Sequence, residues 1–352
     1  MKKVLVAFMG LGALGMAALL LLQSAANHKS AILNAFQSDF DSGNLDAMVA
    51  RADGVLAGSQ DDIDALLAAA TAYAMKGSVG FSERENGSKA IEYADRVLRI
   101  SPDNSEAFRV KGYALEIQER YDEAHANYDK AIANDPRNFQ ALSNKGHAYD
   151  LQGNLGEAEK FYQRSLEVNP NGDHALLNIS RLYIRQKRLP EAKRSLETLG
   201  ENSRNTRFRA EAYQNLAELL RAEMNYKEAK AAIDKAIELD PSVPQAWVTR
   251  GRVRMMAFIE EEEATHAAIE GDIRQSAEKA TALNPNAAAA YTLLYDLYTG
   301  KGDAEKRAIY KQKALEAIDK DITLGQEERK ALRSYLESEI SVVQESDGGA
   351  SN

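Results

Sequence analysis

Few side chains in this 352-residue chain are of types and spacings that could do chemistry. The absence of cysteine excludes disulfides, thiol nucleophiles, thiolate zinc sites and cysteine-bound iron–sulfur clusters. Its five histidines lack the H-x-x-x-H or H-E-x-x-H spacing of a metal site. The motifs G-x-S-x-G and G-x-x-x-x-G-K-[ST] are also missing from the sequence. The sequence therefore predicts no cofactor, no metal and no enzymatic activity.

One nucleotide-binding fingerprint, G-x-G-x-x-G, occurs between Gly10 and Gly15. In a dinucleotide-binding fold these glycines follow a strand, and a second strand leads to an acidic residue about 20 positions later. Asp39 and Asp41 lie near that distance, but residues 30–36 have helical spacing and no later segment resembles a strand. We therefore interpret the glycines as small residues of a membrane helix.

The amino-terminal segment predicts passage into or across a membrane. Residues 4–22 carry no charge and follow Lys2 and Lys3. About 20 apolar residues suffice to span a bilayer, while the small residues 24–26 suit a signal-peptide cleavage site. Residues 1–27 are thus either an uncleaved anchor or a cleaved signal peptide. Both alternatives place the rest of the chain outside the cytoplasm, because the lysines remain inside it.

The composition indicates an all-α protein. Charged residues make up 28% of the chain and proline is rare, while alanine, a strong helix former, is abundant. The net charge of −9 argues against nucleic acid as a partner, because phosphate binding requires clustered lysine and arginine.

Prolines mark an internal repeat of 34 residues. Pro102, Pro136 and Pro170 are separated by this period, and Pro241 and Pro285 follow at longer spacings. Proline cannot continue the hydrogen-bond ladder of a helix, so each should lie between two helices. A period of this length is typical of a helical repeat protein.

The residues between these prolines resemble the tetratricopeptide repeat, whose unit is a pair of antiparallel helices. In residues 105–138 the characteristic places are occupied by Phe108, Gly112, Tyr121, Ala124, Tyr128, Ala131 and Pro136. Residues 139–172, 173–209 and 210–243 follow the same pattern. The resemblance implies a superhelical array of helix pairs, a solenoid, in which small residues lie where helices cross and large ones fill the gaps.

We expect the solenoid to occupy residues 28–344, followed by a disordered tail over 345–352. Its predicted parts are the units 63–104, 105–138, 139–172, 173–209 and 210–243, the divergent units 244–287 and 288–322, and a capping helix over 326–344. An insertion near residues 78–87 should lengthen one turn. Ten extra residues in unit 244–287 should lengthen both of its helices.

The resemblance also implies that the first helices of the units line a concave face. Candidate partner-binding residues on that face are Arg109, Tyr113, Asn144, His147, Asn178, Arg181, Arg185, Asn215 and Arg252. The three asparagines share one place in their units, so they are either a ladder for a peptide backbone or simply common there. The arginines and histidines, His174 among them, predict a partner with an acidic segment, or else they are solvated. The family's clamp for chain termini is not carried over, because Arg109 and Tyr113 stand where its lysine and asparagine would.

Two neighbouring segments allow a further surface. Residues 260–263 are four consecutive glutamates, which predict a solvated helix face or a site for a basic partner or cation. Residues 255–259 are largely apolar, and they are either an exposed contact patch or part of the core. We expect them to be core.

Together these features predict a non-catalytic scaffold that binds a protein or peptide. It resembles extracytoplasmic repeat proteins of Gram-negative bacteria, which implies a periplasmic body, either free or anchored in the inner membrane through residues 4–22. The alternatives are a structural component that associates with itself and a polysaccharide-binding export factor, for which Tyr113 is the aromatic candidate.

Overall fold

The computed structural model describes residues 30–39, 43–78, 82–260, 265–321 and 324–347. These residues form seventeen α-helices and no strand, so the expected all-α class is confirmed. The first helix, α1, covers residues 30–39. The others are α2 (Leu45–Gly58), α3 (Ile63–Ser78), α4 (Glu83–Ile100), α5 (Ser105–Ile117), α6 (Tyr121–Asn134), α7 (Phe139–Leu151), α8 (Leu155–Val168), α9 (Asp173–Arg185), α10 (Leu189–Asn202), α11 (Thr206–Ala222), α12 (Tyr226–Leu239), α13 (Pro244–Glu260), α14 (His266–Leu283), α15 (Ala288–Gly300), α16 (Ala304–Ile318) and α17 (Gln326–Asp347).

Asparagine side chains start many of these helices. The side-chain oxygens of Asn104 and Asn138 each accept a hydrogen bond from a backbone N–H three residues later, at 2.8 Å. Asn154 and Asn225 cap α8 and α12 in the same way. Each cap satisfies one backbone donor that the first turn of a helix leaves unpaired. The repeating asparagine therefore fixes where the helices begin.

The described residues form two compact bodies, one ending at Ala175 and the other beginning at Leu176, which we call the N-terminal and C-terminal bodies. In the N-terminal body α3 packs on α4, α5 on α6 and α7 on α8. In the C-terminal body the corresponding pairs are α11 with α12, α13 with α14 and α15 with α16. Within each body, consecutive helices form the antiparallel pairs that the 34-residue period predicts.

Close helix crossings combine a glycine with a large side chain. A Cβ at Gly112 would lie 2.6 Å from Cε1 of Tyr128, and one at Gly146 would lie 2.9 Å from Cδ1 of Tyr162. Both tyrosines are fully buried. This arrangement confirms the predicted alternation of small and large residues and fills the interior without a void.

The turn inside several helix pairs uses left-handed backbone. Gly153 and Gly302 adopt positive φ there, but so do Glu119, Lys187 and Met224, each with φ of 59°. A side chain in this conformation costs roughly 1–2 kcal/mol. The turn geometry is therefore kept even where the sequence does not provide glycine.

Several boundaries differ from the sequence prediction. Helix α4 begins at Glu83, so part of the insertion predicted as a turn is helical. Helix α17 continues to Asp347, because no helix-breaking residue precedes the two glycines that follow; residues 345–347, predicted as disordered, are helical. Residues 348–352 lie outside the described residues. Tyr335 on α17 is 45% exposed and donates a hydrogen bond to Asp296.

The ten additional residues of unit 244–287 lengthen both helices, as expected. Helices α13 and α14 have 17 and 18 residues, whereas α5 and α6 have 13 and 14. Across the described ranges no helix is long and apolar enough to cross a membrane. The predicted anchor or signal peptide in residues 1–27 lies outside those ranges.

Candidate functional site

The first helices of the pairs in the N-terminal body, α3, α5 and α7, form a surface that we call its first-helix face. This face contains a buried arginine that already has a carboxylate partner. Arg109 on α5 donates from Nε to both oxygens of Glu106, each at 2.9 Å. Its side chain is only 11% exposed. Burial raises the pKa of the Glu106 carboxyl, but the charge and hydrogen bonds of Arg109 outweigh it, so the pKa is lowered. Arg109 was predicted to bind a partner, and here it stabilises its own helix.

A second carboxylate links two successive first helices. Glu116 on α5 has a side chain only 2% exposed. It accepts a hydrogen bond from the hydroxyl of Tyr128 at 2.8 Å, and its other oxygen lies 2.7 Å from Nδ1 of His147 on α7. Burial first, and then the negative charge of Glu116, raise the pKa of the Tyr128 phenol well above its usual value. Helices α5, α6 and α7 therefore meet at one buried acceptor.

His174, at the start of α9, lies in the electrostatic field of this cluster. Although part of the residue is exposed to water, the protein around its ring lowers its pKa, and the positive charges of Arg109 and His147 lower it further. Tyr113 on α5 is half-buried and shares a hydrogen bond with Ser78; burial raises the pKa of its phenol.

The predicted cations of the C-terminal body are also paired. Nη2 of Arg181 on α9 lies 2.5 Å from Oε1 of Glu211 on α11. Nη1 of Arg252 on α13 lies 3.5 Å from Oε1 of Glu218 on α11. Arg185 is exposed at the end of α9. The local basic character expected from the sequence is thus largely neutralised by carboxylates on adjacent first helices.

Glu218 is the acceptor that joins α11 to α13. It accepts hydrogen bonds from Nε of Arg221 at 2.8 Å and from Oγ1 of Thr249 at 2.7 Å. Burial raises the pKa of its carboxyl, but Arg221, Thr249 and Arg252 outweigh this, and the pKa is lowered. The structure therefore assigns this group a negative charge at neutral pH.

The three predicted asparagines differ from these charged residues. Asn144 on α7, Asn178 on α9 and Asn215 on α11 are half-buried. Their amides form no hydrogen bond or ion pair with another group in the described part of the chain. A half-buried amide offers two donors and two acceptor positions. Each of these side-chain amides can therefore donate and accept hydrogen bonds with a ligand.

The two carboxylates at the centre of these networks, Glu116 and Glu218, were not among the predicted partner-binding residues. The Glu116–His147 and Glu218–Thr249 contacts each span 31 residues, and the Arg181–Glu211 contact spans 30. In each contact the two residues are separated in the sequence by slightly less than the 34-residue period. Residues with this separation lie late in one first helix and near the middle of the next, so the spacing is the sequence signal that could have identified the contacts.

The apolar segment of α13 belongs to the core, as expected. Met256 is 8% exposed and Ala257 is fully buried. Met255 and Phe258 pack against a cluster of buried side chains that includes Ile269. Glutamates 261–263 lie outside the described residues. Among the residues that are described, no group of three or more potential ligands could hold a metal ion.

Comparison with known families identifies the repeat directly. Sequence profiles described as tetratricopeptide repeat match residues 80–124, 109–173, 151–210 and 210–243. No curated protein is detectably similar in sequence to this chain.

Solved structures share the fold at low sequence identity. The structure of the APC/C hetero-tetramer Cut9–Hcn1 matches with a TM-score of 0.55 and 16% identity, over 74% of this chain and 47% of the other. PilW, a widely conserved type IV pilus biogenesis factor, matches with a TM-score of 0.51 and 17% identity, over 65% of this chain and 98% of PilW. Yeast Tom70 matches with a TM-score of 0.52 and 15% identity, over 87% of this chain and 60% of the other. At these identities the similarity concerns the fold alone.

Proposed function

Because the chain is a tetratricopeptide repeat protein, we propose that it is a non-catalytic scaffold that binds an extended segment of another protein on its first helices. Members of this family generally act as interaction scaffolds. The observation that carries the proposal is that each body has half-buried amides without intramolecular partners on its first helices, Asn144 in the N-terminal body and Asn178 and Asn215 in the C-terminal body.

These amides suit recognition of a peptide backbone. An extended peptide presents alternating N–H and C=O groups, and one carboxamide can donate to the carbonyl and accept from the N–H. The helices that carry the amides are already folded, so little conformational entropy is lost from the protein on binding. Arg185 is exposed on the same helix as Asn178, and its positive charge favours a segment that also carries negative charge.

The site of action that we propose is the cell envelope. The proposal rests on the uncharged run at residues 4–22 behind two lysines. Fractionation of the host cells with mass spectrometry of the amino terminus tests it. An intact Met1 in the membrane fraction indicates an anchored scaffold, and a start at Asn27 in the soluble extracytoplasmic fraction indicates a diffusible one. Recovery in the cytoplasm would contradict both forms.

The alternative functions receive less support from the side chains. Self-association was predicted to use an apolar patch near Met255, but Met256 and Ala257 are buried. Polysaccharide binding was predicted to use Tyr113, which is half-buried and hydrogen-bonded to Ser78. An aromatic platform for a sugar needs an open ring face, and the half-buried ring of Tyr113 does not provide one.

Site-specific photo-crosslinking in the host tests peptide binding by the amide face. A photoreactive amino acid replaces Asn178 or Asn215 in turn, and Glu238, exposed on second helix α12, serves as the matched control position. We expect both test positions to capture the same protein and Glu238 to capture none of it.

Affinity for the captured segment provides the quantitative check. The double variant N178A/N215A should bind it about 5- to 150-fold more weakly, since each lost hydrogen bond contributes roughly 0.5–1.5 kcal/mol. Its circular dichroism spectrum should be unchanged. Equal capture from Glu238, or unchanged affinity in the double variant, would show that another surface is used.

A further inference from the structure

A polar cleft lies between α5 and the turn that leads from α6 to α7. It has a volume of about 370 Å³ and is lined by the first residues of α5, by the turn and by the first residues of α7. Two hydrogen bonds of 2.9 Å hold its sides together, one from Nδ2 of Asn138 to Oγ of Ser105 and one from that hydroxyl to the carbonyl of Ala131. Ligand sites range from about 300 to 1,000 Å³, so this cleft has room for one side chain rather than for a whole segment.

Several polar groups that line the cleft already have partners. Both oxygens of Glu106 accept hydrogen bonds from Nε of Arg109, which also compensates the negative charge. The amide oxygen of Asn138 accepts from the backbone N–H of Ala141, and the hydroxyl of Ser105 both donates and accepts. None of these groups needs a ligand.

The groups that are left over are mostly donors. Arg137 and Gln140 are exposed, and their side chains form no hydrogen bond or ion pair within the part of the chain that the structure describes. Asn104 uses only its amide oxygen, which accepts from a backbone N–H. A guanidinium has five N–H donors and each amide has two. The free acceptors are fewer: the amide oxygen of Gln140 and one oxygen of Asp135, whose other oxygen accepts from the N–H of Arg137. The cleft therefore suits a ligand group that supplies acceptors.

The cleft adjoins one of the amides to which we assign peptide binding. Gln140 and Asn144 are four residues apart on α7, so their side chains share one face of the helix. Four residues correspond to about 6 Å along the helix axis, a distance that an extended chain covers in roughly two residues. A segment held by Asn144 can thus place a nearby side chain in the cleft.

We propose that the polar cleft binds a carboxylate side chain of the bound segment, about two residues from the part of its backbone that Asn144 holds. The inference rests on the proposed function, because it specifies the chemistry of one residue of the ligand. Arg137 supplies the positive charge and can donate two parallel hydrogen bonds to a carboxylate, and the amides of Asn104 and Gln140 add further donors. Asp135 is a like charge that weakens the binding, whereas Glu106 is compensated by Arg109.

Binding of model peptides to the full chain tests the inference. The probes are capped peptides in which glycine alternates with glutamate, with glutamine or with lysine, and NMR titration at low salt measures their affinities. The glutamate peptide should bind about three- to tenfold more tightly than the glutamine peptide, and the lysine peptide should bind most weakly. The advantage of glutamate should shrink at high salt, because ions screen exposed charges.

Three single variants identify the groups responsible. R137Q should lower the affinity for the glutamate peptide to that for the glutamine peptide. D135N keeps the acceptor for the N–H of Arg137 but removes the like charge, so it should tighten binding of the glutamate peptide about two- to threefold. R84Q is the matched control and should change nothing: Arg84 is another exposed arginine without a partner for its guanidinium, and it lies at the opposite end of α4 from the turn that leads to Asn104.

The outcomes separate this inference from the proposed function. Tighter binding of the lysine peptide, unchanged affinity in R137Q or weaker binding of the glutamate peptide by D135N overturns the inference. Peptide binding still stands in each case if N144A weakens all three peptides alike. If no peptide binds while the crosslinks at Asn178 and Asn215 succeed, the inference alone fails. If those crosslinks also capture nothing, the proposed function fails with it.

Discussion

Two carboxylates in different bodies perform the same structural task with different chemistry. Glu116 joins α5 to α7 through His147, and Glu218 joins α11 to α13 through Thr249. Glu116 is almost completely buried and receives its hydrogen bonds from a phenol and an imidazole. Glu218 is 28% exposed and is also paired with Arg221.

The difference shows that a repeat fold can join two successive first helices through different side chains without changing the helices themselves. We call each such connection, through Glu116 or Glu218, a link. A buried acceptor surrounded by neutral or titratable donors depends strongly on each of them, because water cannot replace a lost partner. An acceptor beside guanidinium groups and within reach of water is less sensitive. We therefore expect the link in the N-terminal body to be the more fragile and the more dependent on pH.

Removal of each carboxylate should have the largest effect. E116A leaves the buried hydroxyl of Tyr128 without its acceptor and should lower the free energy of unfolding by about 2–3 kcal/mol. E218A also leaves a buried hydroxyl, that of Thr249, but Arg221 and Arg252 remain within reach of water, so the loss should be smaller, about 1–2 kcal/mol. Urea denaturation followed by circular dichroism measures both values. If the two variants lose equal stability, burial does not distinguish the two links.

The packing beneath Glu116 provides the next test. G112A would bring a Cβ to 2.6 Å from Cε1 of Tyr128, the residue that donates to Glu116. Displacement of this buried ring should outweigh the better helix propensity of alanine and destabilise the protein by about 1–2 kcal/mol. G54A is the matched control, because a Cβ there meets nothing within 4 Å, and it should stabilise α2 by about 0.5–1 kcal/mol. A neutral G112A variant would mean that the Tyr128 ring can move freely.

The turns that follow the two linking helices should behave alike. Glu119 follows α5 and Met224 follows α11, and both have φ of 59°. Glycine adopts this conformation without steric penalty but loses more entropy on folding, so E119G and M224G should each gain about 0.5 kcal/mol. Thermal unfolding of the two variants measures the gain. A difference between them would indicate that the turns, and not only the carboxylates, distinguish the bodies.

The smallest effect expected is a dependence of stability on pH that originates in the N-terminal body. The pKa of His174 is lowered in the folded protein, so the unfolded chain binds more protons between that lowered pKa and about 6.5. Stability should therefore decrease as the pH falls from 7 through this window. H174Q should reduce the decrease in melting temperature on acidification. R252Q, in the other body, should leave the slope of melting temperature against pH unchanged. An identical slope in wild type and H174Q would assign the effect to other groups.

Local patterns predicted much of the fold. The period of 34 residues, the asparagine caps and the small and large residues at helix crossings placed most helices within a few residues of their observed bounds. The exceptions have local causes: α4 starts earlier within the insertion, and α17 continues until the glycines after Asp347. Sequence also selected Asn144, Asn178 and Asn215 by their shared place in the repeat.

The candidate site was predicted less completely. Arg109, Arg181 and Arg252 were predicted to bind a partner, and the structure pairs them with Glu106, Glu211 and Glu218. Charge type alone does not reveal pairing, because the partners of Arg181 and Arg252 lie on neighbouring first helices, 30 and 34 residues away. Nor could the sequence show that Glu116 is buried while His147 remains accessible.

The amino-acid sequence by itself determined the helix pairs, their caps and the tight crossings, since helix formation and apolar periodicity depend on residues within a few turns of one another. Tertiary structure decided which charged groups are neutralised, which amides remain available and which carboxylates are buried. Electrostatic and hydrogen-bond energies depend on distance and on exclusion of water, and both arise only when one first helix packs beside the next.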